Sequence, residues 1–444
     1  MIYIFFVYSI LNIHSQITDF LNPFNYSYTP YNATKSNKII YGFNIDYSLN
    51  NKNLLIKSKS NYFEGNFNFN FWGLKFNYLD KRSKFYFKKE DSYLKFDNDK
   101  KLLELGIPVK KYGITFMPLI NYNTDADKPD FGVYLSYEYV KNIKYKIDFS
   151  DYNLSEYFKL YILGEGDDFI FLYNYKKNIK KITFNLELDK INLLILKLNE
   201  KINTFNKKKK GFSQSETSDS KKFMLKFKIK DKYFNFYLSY FENFLISKTL
   251  NEFDDTKYAV FKLKEFYNFV YLLGIEYRKF KLKSEFLYQK INGNFYSNIE
   301  VWPFTENSEV VWAGGRLNIF SKPDMKRYIW KFGKYLKFKN NLQINFSVFY
   351  DYIILLPNTK TYEAGIFGLG RQNEKKYTKQ ENYEFLHFQL GVYYEIFKDW
   401  KFKSVVKQLV PLRVSGKGSD ITPSEGKKFR LQGFDFRFKI ESNF

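Results

Sequence analysis

Hydrophobic and polar residues alternate along most of this chain with a period of two. In the stretch 342–352, for example, Leu342, Ile344 and Phe346 lie on one parity, and Gln343 lies on the other. Successive side chains of a β-strand point to opposite faces, so each such stretch predicts a strand with one apolar and one polar face. No comparably long stretch has the 3.6-residue period of a helix. The alternation therefore predicts an all-β fold.

Tight polar turns, such as Lys141-Asn142 and Asp231-Lys232, separate many of the alternating stretches. Connections this short join antiparallel neighbours. At Trp72-Gly73 the aromatic residues change parity, which favours a β-bulge. The sequence thus predicts one antiparallel up-and-down meander of roughly 18 to 24 strands, with a best count of about 24.

The abundance of aromatic residues bears on where the apolar face lies. Phe, Tyr and Trp make up 22% of the chain, with 51 Phe and 40 Tyr. In a soluble sandwich these rings would form the core, and the unpaired edges would need protection. In a transmembrane barrel the rings face lipid, the polar parity lines the lumen, and closure satisfies every backbone group. So long a meander without helices favours the barrel, and a soluble basic β-protein is the alternative.

The last stretch of the chain has a regular spacing of glycine and aromatic residues. The residues concerned are Gly433, Phe436, Phe438 and Phe444. Their spacing resembles the carboxy-terminal assembly signal of bacterial outer-membrane β-barrel proteins, although Leu431 and Ser442 depart from that pattern. The resemblance implies a porin-like protein of the bacterial outer membrane, surrounded by its lipid, inserted by the barrel-assembly machinery and able to form a homo-oligomer.

The chain begins with an apolar, uncharged stretch that is too short to cross a membrane as a helix. We expect residues 1–15 to be a signal peptide, although a basic n-region is missing. Residues 16–38 are then a periplasmic segment, and 39–444 form the barrel. Long outer loops are expected near 199–221, 354–383 and 411–428.

The charge balance is strongly basic, with a net charge of +24, and the chain has no cysteine. Carboxylates such as Glu285 and Asp351 share the polar parity with the basic residues, so the charges could simply pair across strands. A basic excess in a lumen would also lower the barrier for anions. The basic residues expected to line the lumen are Lys144, Lys146, Lys181, Lys226, Lys228, Arg278, Lys281, Lys283, Arg316, Lys403, Lys407, Arg437 and Lys439.

The sequence predicts no catalytic residue, cofactor or metal site. His387 lies on the polar parity without any neighbouring catalytic motif, so we expect a lone histidine in the lumen or at its rim. The glycine-rich stretch 365–371 lacks the helix that follows a phosphate-binding loop. The run Lys207–Lys210 lies in a polar segment that is typical of a solvated loop, so no nucleic acid is expected as a partner.

Together these patterns predict an outer-membrane channel for the passive passage of small hydrophilic solutes, preferentially anionic ones. Two other functions remain open from the sequence. The barrel could display its outer loops as an adhesin, or it could be a conduit for lipid or polysaccharide, which would require a lateral seam or a plugged lumen.

Overall fold

The structure is a computed structural model, and within residues 38–443 it describes all but short connecting segments. Every regular element in the described part is a β-strand. No helix in this part of the chain is long and apolar enough to cross a membrane. The segments left out are 1–37, 52–53, 70–73, 90–91, 124–127, 142, 165–166, 209–212, 254–258, 302–303, 307–308, 313–314, 339–340, 357, 366–372, 398–399, 416–432 and 444.

The strands in the first half of the chain are β1 (Lys38–Asn51), β2 (Leu54–Phe69), β3 (Leu74–Lys89), β4 (Ser92–Gly106), β5 (Val109–Lys111), β6 (Ile114–Asn123), β7 (Asp130–Val140), β8 (Lys144–Gly164), β9 (Asp167–Glu187), β10 (Ile191–Lys208) and β11 (Ser213–Lys230). Those in the second half are β12 (Phe234–Phe253), β13 (Ala259–Tyr277), β14 (Leu282–Val301), β15 (Phe304–Glu306), β16 (Glu309–Trp312), β17 (Gly315–Ser321), β18 (Asp324–Lys337), β19 (Leu342–Leu356), β20 (Thr359–Gly365), β21 (Asn373–Tyr377), β22 (Glu381–Phe397), β23 (Trp400–Ser415) and β24 (Gly433–Asn443).

The first and last strands of the described chain pair with each other. Lys38–Ser48 of β1 run antiparallel to Gly433–Asn443 of β24, with Phe43 opposite Phe438. All other pairings are antiparallel as well, so the hydrogen-bonded circuit leads from β1 through the sheet and back to β1. The pairing of β1 with β24 removes the two edges that an open sheet would leave at its first and last strands. The fold is an all-β, antiparallel, up-and-down barrel, as predicted.

The predicted best count of about 24 strands is not confirmed. Within the described residues the circuit passes through 16 strands where β4 pairs directly with β8, and through 18 where it includes the β6–β7 hairpin, namely β1–β4, β6–β14, β18, β19 and β22–β24. The strands β17, β20 and β21 continue β18, β19 and β22 beyond short breaks. Between β17 and β18 the break falls at Lys322-Pro323, where proline lacks the backbone N–H that a ladder needs. We call the edge where β1 begins and β24 ends the terminal edge, and the opposite one the far edge.

The wall is irregular where β4, β6, β7 and β8 meet, a junction that we call the seam. Near the far edge Tyr93–Asp97 of β4 pair directly with Lys159–Leu163 of β8. Nearer the terminal edge Leu102–Gly106 of β4 pair instead with Leu119–Asn123 of β6. The β6–β7 hairpin is therefore inserted into part of the wall, and its pairing with β4 ends at Leu102. Each of these two ladders is only a few residues long.

The two faces of the wall differ in their exposure. Along β18, the outward side chains of Trp330 and Phe332 are exposed, the latter by 61%. Arg327 and Ile329, on the opposite parity, are buried. Exposed apolar residues occur in the same way on β6, β7, β13 and β22. The apolar outer face thus follows the alternation that the sequence predicts.

The inner face is not uniformly polar, contrary to the expectation that it encloses water. Tyr152, Leu198, Val270, Leu287 and Phe349 are buried there and belong to one apolar cluster, which we call the inner layer. Strands such as β13 carry apolar residues on both parities, so alternation alone cannot reveal the composition of the inner face. The residues of the inner layer and those packed against it come from β8–β14, β18 and β19, so apolar side chains cover this part of the inner face.

The predicted outer loops are shorter than expected. Polar residues in 199–221 continue the β10–β11 ladder as far as Lys207 opposite Ser213. Much of 354–383 likewise forms β20 and β21, and β23 extends to Ser415. A strand segment that continues into water needs no apolar face. The polar composition of these segments therefore suggested loops. The predicted signal peptide 1–15, most of the segment 16–38 and Phe444 lie outside the described residues.

Candidate functional site

Three neighbouring strands bring an arginine, an aspartate and a histidine together on the inner face. Arg327 of β18 lies diagonally across from Asp351 of β19, because Arg327 faces Ile353 in the register. Arg327 Nε donates to Asp351 Oδ1 at 2.7 Å, and its Nη2 donates to Oδ2. On the other side, His387 Nε2 of β22 lies 3.3 Å from Asp351 Oδ2. One carboxylate therefore joins three strands.

This group is almost completely withdrawn from solvent. Arg327 and Asp351 expose 1% and 0% of their surface, and His387 is buried as well. Moving ions out of water is costly unless they are paired with good geometry, and a two-point contact between guanidinium and carboxylate supplies that geometry. The sequence predicted a lone histidine in the lumen or at its rim. In the structure His387 contacts Asp351 and so belongs to this group.

Phe349 lies beside this group, and the ammonium groups of two lysines lie over its ring. Lys331 Nζ is 4.8 Å and Lys407 Nζ is 5.5 Å from the centroid of its ring. The ring also packs against the imidazole of His387, with centroids 6.2 Å apart. Cations are attracted to aromatic faces, most strongly where water is excluded. Phe349 is 1% exposed, so it holds the two lysines at a desolvated position.

Lys331 also connects this group to a second carboxylate. Its Nζ lies 3.2 Å from Glu285 Oε2, and Lys283 Nζ lies 2.9 Å from Oε1 of the same residue. Tyr237 donates its hydroxyl hydrogen to Glu285 Oε1 at 2.6 Å. The tyrosine ring passes over Gly274, where an added Cβ would lie 2.0 Å from Tyr237 Cζ. A glycine at this position therefore makes room for the contact between Tyr237 and Glu285.

We call this connected set the inner cluster. A small cavity adjoins it, lined by Glu285, Lys331 and apolar side chains of the inner layer. Cationic side chains outnumber carboxylates in the cluster, so it forms a positively charged region in surroundings of low dielectric constant. Its members are Tyr237, Lys283, Glu285, Arg327, Lys331, Phe349, Asp351, His387 and Lys407.

A separate polar group lies on β7, β8 and β9. Tyr134 donates to Asp148 Oδ1 at 2.5 Å, and Lys146 Nζ lies 2.9 Å from the same oxygen. Lys181 of β9 is buried nearby, opposite Ser150 in the register. Basic residues thus point inward on the strands near the seam as well as at the inner cluster.

The basic residues predicted to line the lumen fall into several environments. Lys146 and Lys283 form inner-face ion pairs, and Lys403 and Lys439 both lie within 4 Å of Glu441, at 3.7 and 2.8 Å. Lys226 and Lys228 share the parity of buried Met224 on β11. Lys144 is exposed at the start of β8. The side chains of Arg316 and Arg437 lie outside the described residues.

Two of the predicted lumen residues occupy a turn instead. Arg278 and Lys281 connect β13 to β14 at the terminal edge, and Lys281 has a positive φ of 55°. Arg278 donates from Nη1 to the backbone oxygen of Asp231 in the next turn, at 3.0 Å. Each residue lies one position outside its strand, because the alternation of the sequence continues into the turn.

Sequence reasoning missed Arg327 and Lys331, which are central to the inner cluster. Lys326 directly precedes Arg327, so each parity of β18 carries a cation near the start of the strand. The signal lay further along the strand, where Trp330 and Phe332 mark the outer parity and leave Arg327 and Lys331 on the inner one. Within the described part of the chain, no group of three or more histidines and acidic residues is arranged to hold a metal ion.

No family model and no curated protein matches this sequence. Solved structures match it at low similarity. OccAB3 from Acinetobacter baumannii has 11% identity, covers 92% of this chain and 99% of its own, and gives a TM-score of 0.36. The ferric citrate transporter FecA has 11% identity, coverages of 93% and 79%, and a TM-score of 0.34. The CymD monoaromatic hydrocarbon channel has 8% identity, coverages of 92% and 89%, and a TM-score of 0.33. Similarity at this level assigns no family.

Proposed function

We propose that this protein is a channel of the bacterial outer membrane that passes small hydrophilic solutes and prefers anions. The observation that carries the proposal is the contrast between the two faces of the closed wall. The outer face exposes rings such as Phe332, whereas the inner face holds the cationic inner cluster. Lipid would cover the outer face, and the backbone groups are satisfied by closure.

The dimensions of the wall support a membrane location. A strand needs about 9–11 residues to cross the hydrocarbon core, and β8 to β14 each contain 18–21. These strands are long enough to cross and to continue beyond the bilayer. Both ends of the described chain lie at the terminal edge. In outer-membrane barrels this edge faces the periplasm, so the far edge would face outward.

The inner cluster supports the preference for anions. Ion pairs to Glu285 and Asp351 keep it assembled, yet its cations exceed its carboxylates. A positive potential in surroundings of low dielectric constant lowers the barrier for an entering anion and raises it for a cation. No covalent step is needed for such a function.

The inner layer places a condition on conduction. Phe349, Val270 and their neighbours pack against one another on the inner face and are buried. Apolar constrictions gate channels by excluding water. We therefore propose that the described conformation is closed, and that solutes pass when the side chains of the inner layer move apart.

Single-channel recording in planar bilayers tests this function. The folded protein should give discrete current steps separated by long closures. In a salt gradient its reversal potential should have the sign that corresponds to anion preference. A correctly inserted protein that never conducts would refute the channel, and a reversal potential of the opposite sign would refute the anion preference alone.

The seam supports a second candidate, a conduit for amphipathic molecules such as lipids. Beyond β3, the strand β4 is held only by the short ladders to β8 and β6. Met117, Leu119 and Tyr134, on the inner face of the adjoining hairpin, form an apolar cluster. An opening here would connect the membrane with an apolar interior. Transfer of a fluorescent lipid between leaflets of vesicles that contain the protein would support this candidate, and absence of such transfer would exclude it.

A further inference from the structure

The turns at the terminal edge share a pairing of a lysine with an aromatic ring. Lys111 Nζ lies 5.2 Å from the ring centroid of Tyr112, Lys232 Nζ lies 5.3 Å from that of Tyr233, and Lys279 Nζ lies 5.8 Å from that of Phe280. A fourth pair, Lys141 with Tyr139, has a distance of 5.9 Å. These residues come from four different turns along the chain. We call the set the basic–aromatic rim.

Three of the four rings of the rim are exposed, while Tyr139 is half-buried and stacks on Tyr145. Tyr112 exposes 86% of its surface, and Tyr233 and Phe280 expose about half. Two further turns of the same edge carry exposed rings, those of Phe338 and Trp400. Exposed aromatic residues repeated at the turns of one edge indicate a surface that meets a partner.

Backbone hydrogen bonds connect several neighbouring turns of the terminal edge. Lys230 N donates to Lys190 O at 2.7 Å, and Arg278 N donates to Tyr233 O at 2.9 Å. Tyr335 N donates to Lys281 O at 3.1 Å, which extends the connection to β18. The lysines and rings are therefore held at fixed spacings along the edge. A fixed array loses less conformational entropy when it binds than flexible turns would.

The rim is also strongly basic. Its exposed cations in the described turns outnumber the carboxylates, of which Asp189 and Asp231 are the exposed examples. Because these side chains project from one edge, their charges add to a continuous positive band. The cations are Lys110, Lys111, Lys141, Lys190, Lys230, Lys232, Arg278, Lys279 and Lys337.

We propose that the basic–aromatic rim binds the head groups of anionic phospholipids in the leaflet at the terminal edge. This inference rests on the proposed membrane location. The rings continue the apolar outer face to the depth at which aromatic residues prefer to lie, between hydrocarbon and water. Beside each ring, a lysine reaches the level of the phosphates, where basic residues attract anionic lipids. The rim would both fix the depth of the barrel and select its neighbouring lipids.

Electron spin resonance of spin-labelled lipids tests the inference, because it measures which lipids contact the protein. The full chain is reconstituted in phosphatidylcholine vesicles that contain a trace of spin-labelled phosphatidylglycerol or phosphatidylcholine. We expect the relative association constant of phosphatidylglycerol to exceed that of phosphatidylcholine by about two-fold or more. Changing the four lysines of the rim to glutamine should bring this ratio close to unity (Lys111→Gln, Lys141→Gln, Lys232→Gln, Lys279→Gln).

A matched control is the variant in which Lys207–Lys210 are all changed to glutamine. This variant loses the same charge from the end of β10 and the residues that follow it in the sequence. It should keep the full ratio between the association constants of phosphatidylglycerol and phosphatidylcholine. A variant with arginine at the four rim positions should also keep it, which separates lost charge from faulty folding. Equal association of both lipids with the unaltered chain would overturn the inference, as would an equal decrease in the control. Absence of any motionally restricted lipid would instead refute the membrane location.

Discussion

Arg327 and Asp351 form a two-point ion pair between adjacent strands, and neither side chain reaches solvent. The carboxylate accepts from two guanidinium nitrogens and also contacts His387. The pair thus fastens β18, β19 and β22 to one another from inside the barrel. Its stability rests on mutual compensation, since either ion alone would be buried without its counterion.

The first prediction concerns the loss of one charge from this buried ion pair. Arg327→Met leaves the Asp351 carboxylate buried without its main partner and should lower the free energy of unfolding by about 3–5 kcal/mol. The double variant Arg327→Met, Asp351→Leu removes both charges and should recover most of that loss. Urea-induced unfolding in lipid vesicles, followed by tryptophan fluorescence, measures both quantities.

A more exposed ion pair serves as the control for this experiment. Lys180 Nζ lies 3.5 Å from Asp151 Oδ2, and the two side chains are 57% and 32% exposed. Lys180→Met should lower the free energy of unfolding by only about 0–1 kcal/mol, because water can solvate the remaining carboxylate. If both single variants behaved alike, the Arg327–Asp351 pair would not have the structural role assigned to it.

A second prediction concerns the inner layer as a gate. Phe349→Ala removes a buried ring that belongs to both the inner layer and the inner cluster, so the closed conformation should be destabilised relative to the open one. We expect more frequent or longer openings in single-channel recordings. Phe332→Ala makes the same change on the outer face, where the ring is exposed, and should leave gating unchanged. Equal gating in the two variants would show that the inner layer does not close the channel.

The sequence predicted the strand direction and the outer face well, because alternation determines both. It predicted turns less well. At Trp72-Gly73 the change of parity suggested a bulge, and that prediction is wrong, since β2 and β3 flank this point and pair antiparallel with Phe69 opposite Leu74. A bulge and a tight turn both shift parity, and only the pairing of the flanking strands distinguishes them.

The inner cluster could be predicted only in part. Glu285, Asp351, Lys283 and Lys407 were assigned to the inner parity from alternation alone. Their contacts depend on the register of non-consecutive strands, as where β14 pairs with β18 and places Glu285 opposite Lys331. No local pattern contains that register, because the segment between the two strands can adopt different lengths of strand and turn.

A third prediction tests the seam through an engineered disulfide. Asp97 and Lys159 lie directly opposite each other in the short ladder between β4 and β8. The chain has no native cysteine, so Asp97→Cys, Lys159→Cys should form a single intrachain bridge under mild oxidation. Faster migration on a non-reducing gel detects it. A control pair in the continuous wall, Lys180→Cys with Asn199→Cys, should cross-link with similar efficiency.

The two bridges should differ in their functional effect. If molecules pass through the seam, oxidation of the Asp97–Lys159 pair should stop lipid transfer and leave ion conductance unchanged. The control bridge should change neither. Failure of the seam pair to cross-link, when the control pair does, would contradict the register of β4 and β8 itself.

The last prediction concerns the charge of the inner cluster. Lys407 is buried beside Phe349, so Lys407→Met removes a positive charge from the region where the potential is strongest. We expect the reversal potential in a salt gradient to shift toward cation preference, with anion permeability reduced by about ten-fold if the barrier rises by ~1.4 kcal/mol. A control variant replaces two lysines at the end of β10, with Lys207→Met and Lys208→Met. It removes more charge from the chain but none from the inner cluster. That variant should keep the original reversal potential at physiological ionic strength, since solvated charges are screened over about 8 Å. An equal shift in both variants would mean that net charge, and not the inner cluster, sets the selectivity.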